Sequence, residues 1–266
     1  MQFAAGPTNV HYVAQGNGRP VLVLHGAGVD HHEAEACFEP ALREVPGLRR
    51  IYPDLPGMGR TPATSLDSAD DVLDVLLAFA EGICGDRPYL VIGHSAGAHF
   101  ALGLADRAPG RVAGLALVCP LLPGTHDVPE HRPAVGAGDL GDEAFRDYFV
   151  VQTPAMLERY QRHVAPSAAL VDERALGRIG ERWELAHSGG PPFAGPVLVV
   201  AGRLDSTVGH EGASELAAGL PHATLAVLDD AGHALPHEQP DLLRAHLLEW
   251  LQRVERRAGR SQEEGE

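Results

Sequence analysis

Short runs of apolar residues, each about one strand long, recur along the chain at Val21–Leu24, Tyr89–Ile92, Leu115–Val118, Val197–Val200 and Leu225–Leu228. A weaker run lies at Ile51–Tyr52. They are continuous rather than alternating. A strand with no polar face has to be covered on both sides, and that is the condition of a parallel sheet between two helical layers. The stretches between the runs supply the helices. In "LDSADDVLDVLLAFAEGI", Ser68 is placed to cap a helix, and Asp70 and Asp71 suit its positive first turn. Val72, Leu76, Phe79 and Ile83 then fall on one face. A last helix is expected from about Asp241 to Arg257, with Leu243, Leu247, Trp250 and Val254 as its stripe. The pattern predicts an α/β fold with a mostly parallel sheet flanked by helices.

One segment breaks the rhythm. From about Pro120 to Pro192 no apolar strand stands out. "PLLPGTHDVPEHRPAVGAGDLGD" reads as a Pro/Gly-rich loop, and "EAFRDYFVVQTPAMLERYQRHV" and "AALVDERALGRIGERWELAH" read as helical. The expected organisation is a core of residues 1–119 and 193–257, a helical insertion at 120–192 and an unstructured tail at 258–266.

The composition narrows the function classes. The 266 residues carry a formal net charge of −15, which repels a phosphate backbone, and no basic patch offsets it. All 21 basic residues are arginine, so no mechanism can use a lysine. Cys37, Cys84 and Cys119 are far apart, odd in number and without metal spacing, as in a reducing cytoplasmic setting. The first twenty residues lack the basic and apolar regions of a secretory leader, and no run is long enough to span a membrane. The expected partner is a small-molecule substrate, with no nucleic acid and no membrane. A homo-oligomer is compatible with the same composition.

The chemistry gathers at strand ends. Gly93-His94-Ser95-Ala96-Gly97 matches G-x-S-x-G between a strand and a helix, a sharp turn that lifts a serine hydroxyl clear of the sheet. A serine needs a base, and the base needs an orienting carboxylate. Asp205 follows the strand in "VLVVAGRLDSTVG", and His233 follows the next in "LAVLDDAGHALPHEQP". His237 is a rival base, and Asp229 and Asp230 are rival acids crowded against His233 along the chain. Open parallel sheets place their sites beyond the carboxyl ends of strands, where all three chosen residues fall. The glycine-rich "HGAG" at 25–28 and the first N–H of the helix after Ser95 can supply oxyanion donors.

With HGAG at 25–28, DLPGMGRT at 54–61, GHSAG at 93–97, AGRLD at 201–205 and AGH at 231–233, the chain resembles the α/β-hydrolase superfamily over nearly its full length. The resemblance implies Ser95 as nucleophile, His233 as base, Asp205 as acid, and the N–H groups of Ala27 and Ala96 as the oxyanion hole. It also implies a helical cap at 120–192 and no cofactor. The serine at 95 sets the chain apart from the dehalogenases and epoxide hydrolases of this fold, which use aspartate. The absence of lysine sets it apart from the hydroxynitrile lyases, and the oxyanion loop lacks the proline of iminopeptidases. Residue 98 is Ala where many members have Gly. The activity implied is hydrolysis of a carboxylic ester or related acyl compound. Thioester cleavage, C–C bond hydrolysis, acyl transfer or cyclisation, a lyase reaction and a non-catalytic receptor are the alternatives.

Other residues have quieter expectations. His25 braces its loop or borders the pocket, and so does His94. Phe145, Phe149, Met156 and Trp183 line a substrate pocket or pack the inserted helices together. Asp54 and Arg60 pair to hold a loop. Asp30, His31 and His32 lack a third ligand along the chain, and no metal is expected.

Overall fold

The computed structural model describes residues 1–136 and 138–263. The chain opens with β1 (Gln2–Ala5), β2 (Thr8–Gln15) and β3 (Arg19–Leu24), followed by α1 (His31–Leu42) and β4 (Leu48–Pro53). Next come α2 (Ala69–Cys84), β5 (Tyr89–His94), α3 (Ala96–Arg107) and β6 (Val112–Val118). The strands form one sheet in the order β1-β2-β4-β3-β5-β6, continued by β7 (Val197–Gly202) and β8 (Ala223–Leu228). From β4 onward every pairing is parallel, and β1 and β2 are antiparallel at one edge. The apolar runs of the sequence supply the central strands. β1 and β2 escaped notice because "QFAA" and "TNVHYVAQ" mix polar and apolar residues, as an edge with one wet face allows.

Alternate strand residues feed two cores, which is why the runs are unbroken. Leu22, Val91, Leu117 and Val199 point to the layer that holds α2 and α3. Val21, Ile92, Val118 and Val200 point to the opposite layer, against α1 and the C-terminal helix. Between β6 and β7 run four helices: α4 (Glu143–Tyr148), α5 (Pro154–His163), α6 (Ala165–Ala168) and α7 (Glu173–Gly180). After β7 come α8 (Glu211–Gly219), then β8, α9 (Leu235–Glu238) and α10 (Pro240–Glu263). Ser68 caps α2 through the Asp71 N–H, as its position suggests.

The tail departs from expectation. α10 runs on as helix past residue 258 to Glu263, and residues 264–266 of the expected tail lie outside the described residues. Arg and Glu are good helix formers, and Arg253 pairs with Glu249 one turn back, so nothing stops the helix at Arg257. Among the described residues, no helix is long and apolar enough to cross a membrane. Cys37, Cys84 and Cys119 are buried free thiols.

Asp54, at the end of β4, anchors the loop beside the site. It is fully buried and accepts from His11 Nδ1 at 3.0 Å and from His31 Nδ1 at 2.7 Å. The backbone N–H groups of His31 and Arg60 complete its bonds. The expected pairing of Asp54 with Arg60 is made through the Arg60 backbone N–H, beside the bonds from the two histidines. Burial alone would push the Asp54 carboxyl up, but the bonds from His31 and Arg60 hold it well below the usual carboxylate range. Asp54→Ala, which strips a buried charge network of its centre, should cost about 3–5 kcal/mol in urea unfolding. Because the folded pKa lies below the unfolded value of about 3.9, the contribution is present above that pH and lost as pH falls through the folded value. The stability gap between Asp54→Ala and wild type should narrow below about pH 4; a gap that is constant down to pH 3 would refute the assignment.

Candidate active site

Parallel register aligns the carboxyl ends of the central strands. Leu24 pairs with Gly93, Gly93 with Leu117 and His94 with Val118, so the loops after β3, β5 and β6 open on one edge. Ser95 follows β5 directly, at φ 53° and ψ −117°, a backbone conformation that a non-glycine residue rarely adopts. The flanking glycines make this turn feasible. A Cβ at Gly93 would strike the Gly97 carbonyl, and one at Gly97 would strike the carbonyl oxygens of Leu24 and His25. The strain is held by the Ser95 N–H donating to Val118 O and the Ser95 carbonyl accepting from Ala98, His99 and Leu121.

The sheet brings Ser95, His233 and Asp205 together from positions up to 138 residues apart. Ser95 Oγ lies 2.9 Å from His233 Nε2, and His233 Nδ1 lies 2.9 Å from Asp205 Oδ2. An ionised carboxylate only accepts, so Nδ1 carries the proton and Nε2 is left to accept the Ser95 hydroxyl proton. Asp205 is fully buried, and its other oxygen accepts from the N–H groups of Thr207 and Val208. Burial would raise its pKa, but the charge and hydrogen bond of His233 and the two backbone bonds hold it below the ordinary value. The Asp205 and His233 loops are laced directly, with the Leu204 N–H donating to Ala231 O. The rivals are engaged elsewhere. His237 bonds to Glu33 at 3.1 Å, and Asp229 and Asp230 are exposed.

Ala96 is the first residue of α3, so its N–H has no partner within the helix. Ala27 sits on the facing loop, and Gly26 packs so tightly that a Cβ there would lie 3.4 Å from the Ser95 Cβ. Two cavities of about 230 Å³ each lie against the immediate neighbours of Ser95. Ala96 and Trp183 border one, His94 and His233 the other, and Ala27 borders both.

Other named residues fall differently. His25 is fully buried, donating through Nδ1 to Gly26 O and accepting from the Leu55 N–H at Nε2. It pins the glycine loop to the β4 loop and offers a substrate no surface. His94 donates through Nε2 to His233 O at 3.0 Å, and burial lowers its pKa to about 4, so it is a neutral imidazole holding the His233 backbone. Phe145 and Phe149 are 0% exposed and stack on each other beside Tyr160, so they form the core of the inserted helices rather than a pocket wall. Met156 packs half-buried against that cluster. His31 turns to Asp54 and His11, and Asp30 caps α1 through the His32 N–H. Contrary to the sequence expectation, Asp30, His31 and His32 do bring three possible ligand atoms within 4.8 Å of one another, as do His11, His31 and Asp54, whose carboxylate accepts from both imidazoles and from the His31 and Arg60 N–H groups.

Glu238 was missed. Its Oε1 accepts from the N–H groups of Val150 and Val151, and its Oε2 from the Gly232 N–H. One carboxylate thus ties the inserted segment to the residue before His233. Burial raises its pKa despite these bonds. Its only trace in the sequence is an acid five residues past a histidine, which nothing local distinguishes from a helix surface.

Comparison with known proteins bears on the family and the fold. A family model described as "Alpha/beta hydrolase family" matches residues 21–246. The 30 kDa magnesium-chelatase subunit of Rhodobacter capsulatus is 29% identical, covering 89% of this chain and 88% of its own. The pimeloyl-acyl-carrier protein methyl ester esterase of Methylococcus capsulatus is 30% identical, covering 86% and 82%. Among solved structures, an alpha/beta superfamily hydrolase from Oenococcus oeni superposes with a TM-score of 0.87 at 23% identity, covering 96% of this chain and 99% of that one. At that identity the likeness speaks for the fold alone.

Proposed function

This chain belongs to the alpha/beta hydrolase family, and from that premise we propose that it hydrolyses carboxylic esters or related acyl compounds through Ser95, His233 and Asp205. The observation that carries the proposal is the continuous relay of two 2.9 Å contacts from Ser95 Oγ through His233 to Asp205. His233 Nε2 takes the Ser95 proton as Oγ attacks the substrate carbonyl. The N–H groups of Ala27 and Ala96 hold the oxyanion of the tetrahedral intermediate. Collapse of that intermediate breaks the bond to the leaving group, which departs with the proton from His233. Water, deprotonated by the same histidine, then attacks the acyl-enzyme and releases the acid. Asp205 holds the ring tautomer and stabilises its charged form. Similarity to a methyl ester esterase supports the choice of esters among acyl substrates.

Intact mass after treatment with a fluorophosphonate tests this directly. One adduct is expected on the wild type and none on Ser95→Ala. A folded wild type that takes no adduct and turns over no activated ester would overturn the proposal.

A further inference from the structure

The two cavities beside Ser95 are not equivalent. A leaving group has to receive its proton from His233 Nε2, so it departs on the side that His233 borders, with His94, Tyr148 and Tyr160. The acyl group then lies on the Ala96 side, against Leu55, Phe100, Leu176, Ile179 and Trp183. Among the described residues, no charged side chain borders that cavity. A third and larger cavity, about 590 Å³, lies beyond it among α3, α8 and the loops at 122–126 and 185–193.

A pair of stacked rings has one member on each of these two cavities. Trp183 borders the smaller cavity and His99 the larger. The two stack with centroids 4.7 Å apart and planes 19° from parallel. His99, one turn beyond Ser95 on α3, donates through Nε2 to Trp183 O at 3.0 Å. Phe100 meets Trp183 edge-on at 5.5 Å. Among the described residues the indole N–H has no hydrogen-bond partner, so ring contacts with His99 and Phe100 and packing against the apolar core hold it.

We infer that the Trp183–His99 stack is a wall that sets acyl length, and that the substrates of this site carry neutral, apolar acyl groups of up to about eight carbons. The inference rests on the hydrolase reading above. A cavity of about 230 Å³ has room for roughly eight water-sized groups at about 30 Å³ each, and a methylene is of similar size. A carboxylate at the far end of the acyl chain would be buried without a partner, at high cost. Each methylene added inside the cavity should raise kcat/KM roughly fourfold, and the gain should stop where the chain meets Trp183. Shortening Trp183 joins the two cavities.

The test is kcat/KM for p-nitrophenyl esters with straight acyl chains of increasing length. Wild type should peak near eight carbons and fall beyond. Trp183→Ala should move the peak to longer chains and raise the ratio of the twelve- to the four-carbon ester at least about tenfold. Trp183→Phe removes an unpartnered donor and keeps a smaller ring on His99, so it should fold well and move the peak toward longer chains by less than Trp183→Ala does. Leu176→Trp fills the cavity and should move the peak to shorter chains, which decides the matter should Trp183→Ala fail to fold. An ester whose acyl chain ends in a carboxylate should react about 100-fold more slowly than its neutral counterpart. Active ester hydrolysis with a flat profile, with a profile that neither cavity variant moves, or with equal turnover of the carboxylate-ended ester would overturn this inference alone. Inertness toward every ester, with no fluorophosphonate adduct, would overturn the hydrolase reading and this inference with it.

Discussion

Ser95→Ala is expected to lower kcat on an activated ester by about 10⁶, the scale seen when a serine hydrolase loses its nucleophile. The proposed bond-making step has no substitute, because among the described residues no other hydroxyl makes the contact with His233 Nε2 that Ser95 makes at 2.9 Å. His233→Ala should cost about as much, and the double variant no more than either single one, because nucleophile and base act as a unit. A residual rate of about 10³–10⁴ over water should survive in each, contributed by oxyanion donors and binding. Ser95 sits in a strained turn held by neighbouring backbone bonds rather than by its hydroxyl, so the Ala variant should fold normally. Steady-state kinetics on protein with unchanged circular dichroism would measure this. A double variant far slower than either single one would show that the two residues do not work together.

Asp205→Asn should lose about 10⁴ in kcat with little change in stability. The reason is a reversal of hydrogen-bond direction. The oxygen that accepts from the Thr207 and Val208 N–H groups would remain, so the amide nitrogen would face His233 Nδ1. That nitrogen donates, and Nδ1 would have to give up its proton to accept. The proton would then sit on Nε2, facing the Ser95 hydroxyl it is meant to deprotonate. A loss smaller than tenfold would move the acid to another residue.

Much of this arrangement was legible before any coordinates. The central strands announced themselves because residues covered on both faces have no polar phase. The elbow was legible because the close approach of Gly93 and Gly97 to neighbouring backbone demands glycine, a requirement written in adjacent positions. The order Ser95, Asp205, His233 could be read because each residue sits within a few positions of a strand end. β1 and β2 were not legible, since a half-wet antiparallel edge has weak hydrophobic contrast. Nor was the end of α10, where Arg and Glu look alike in helix and coil.

Burial of individual side chains divided the remaining residues. Phe145, Phe149 and Trp183 are equally aromatic and all lie in the segment between β6 and β7. Yet two are core and the third borders a cavity, because α4 turns its ring pair onto Tyr160 while Trp183 meets His99 across α3. His25, His94 and His233 are the same residue type at three strand ends, and only their partners make one a loop brace, one a backbone anchor and one a candidate base. The roles of Asp54 and Glu238 depend on groups as far as 43 and 88 residues away. Strand, elbow and site order are properties of neighbours along the chain, and pattern alone decides them. Which histidine faces the serine, which ring forms a wall and which buried carboxylate joins two loops are properties of contacts across the chain. Those contacts exist only once the sheet has aligned its strand ends and the helices between β6 and β7 have packed beside them.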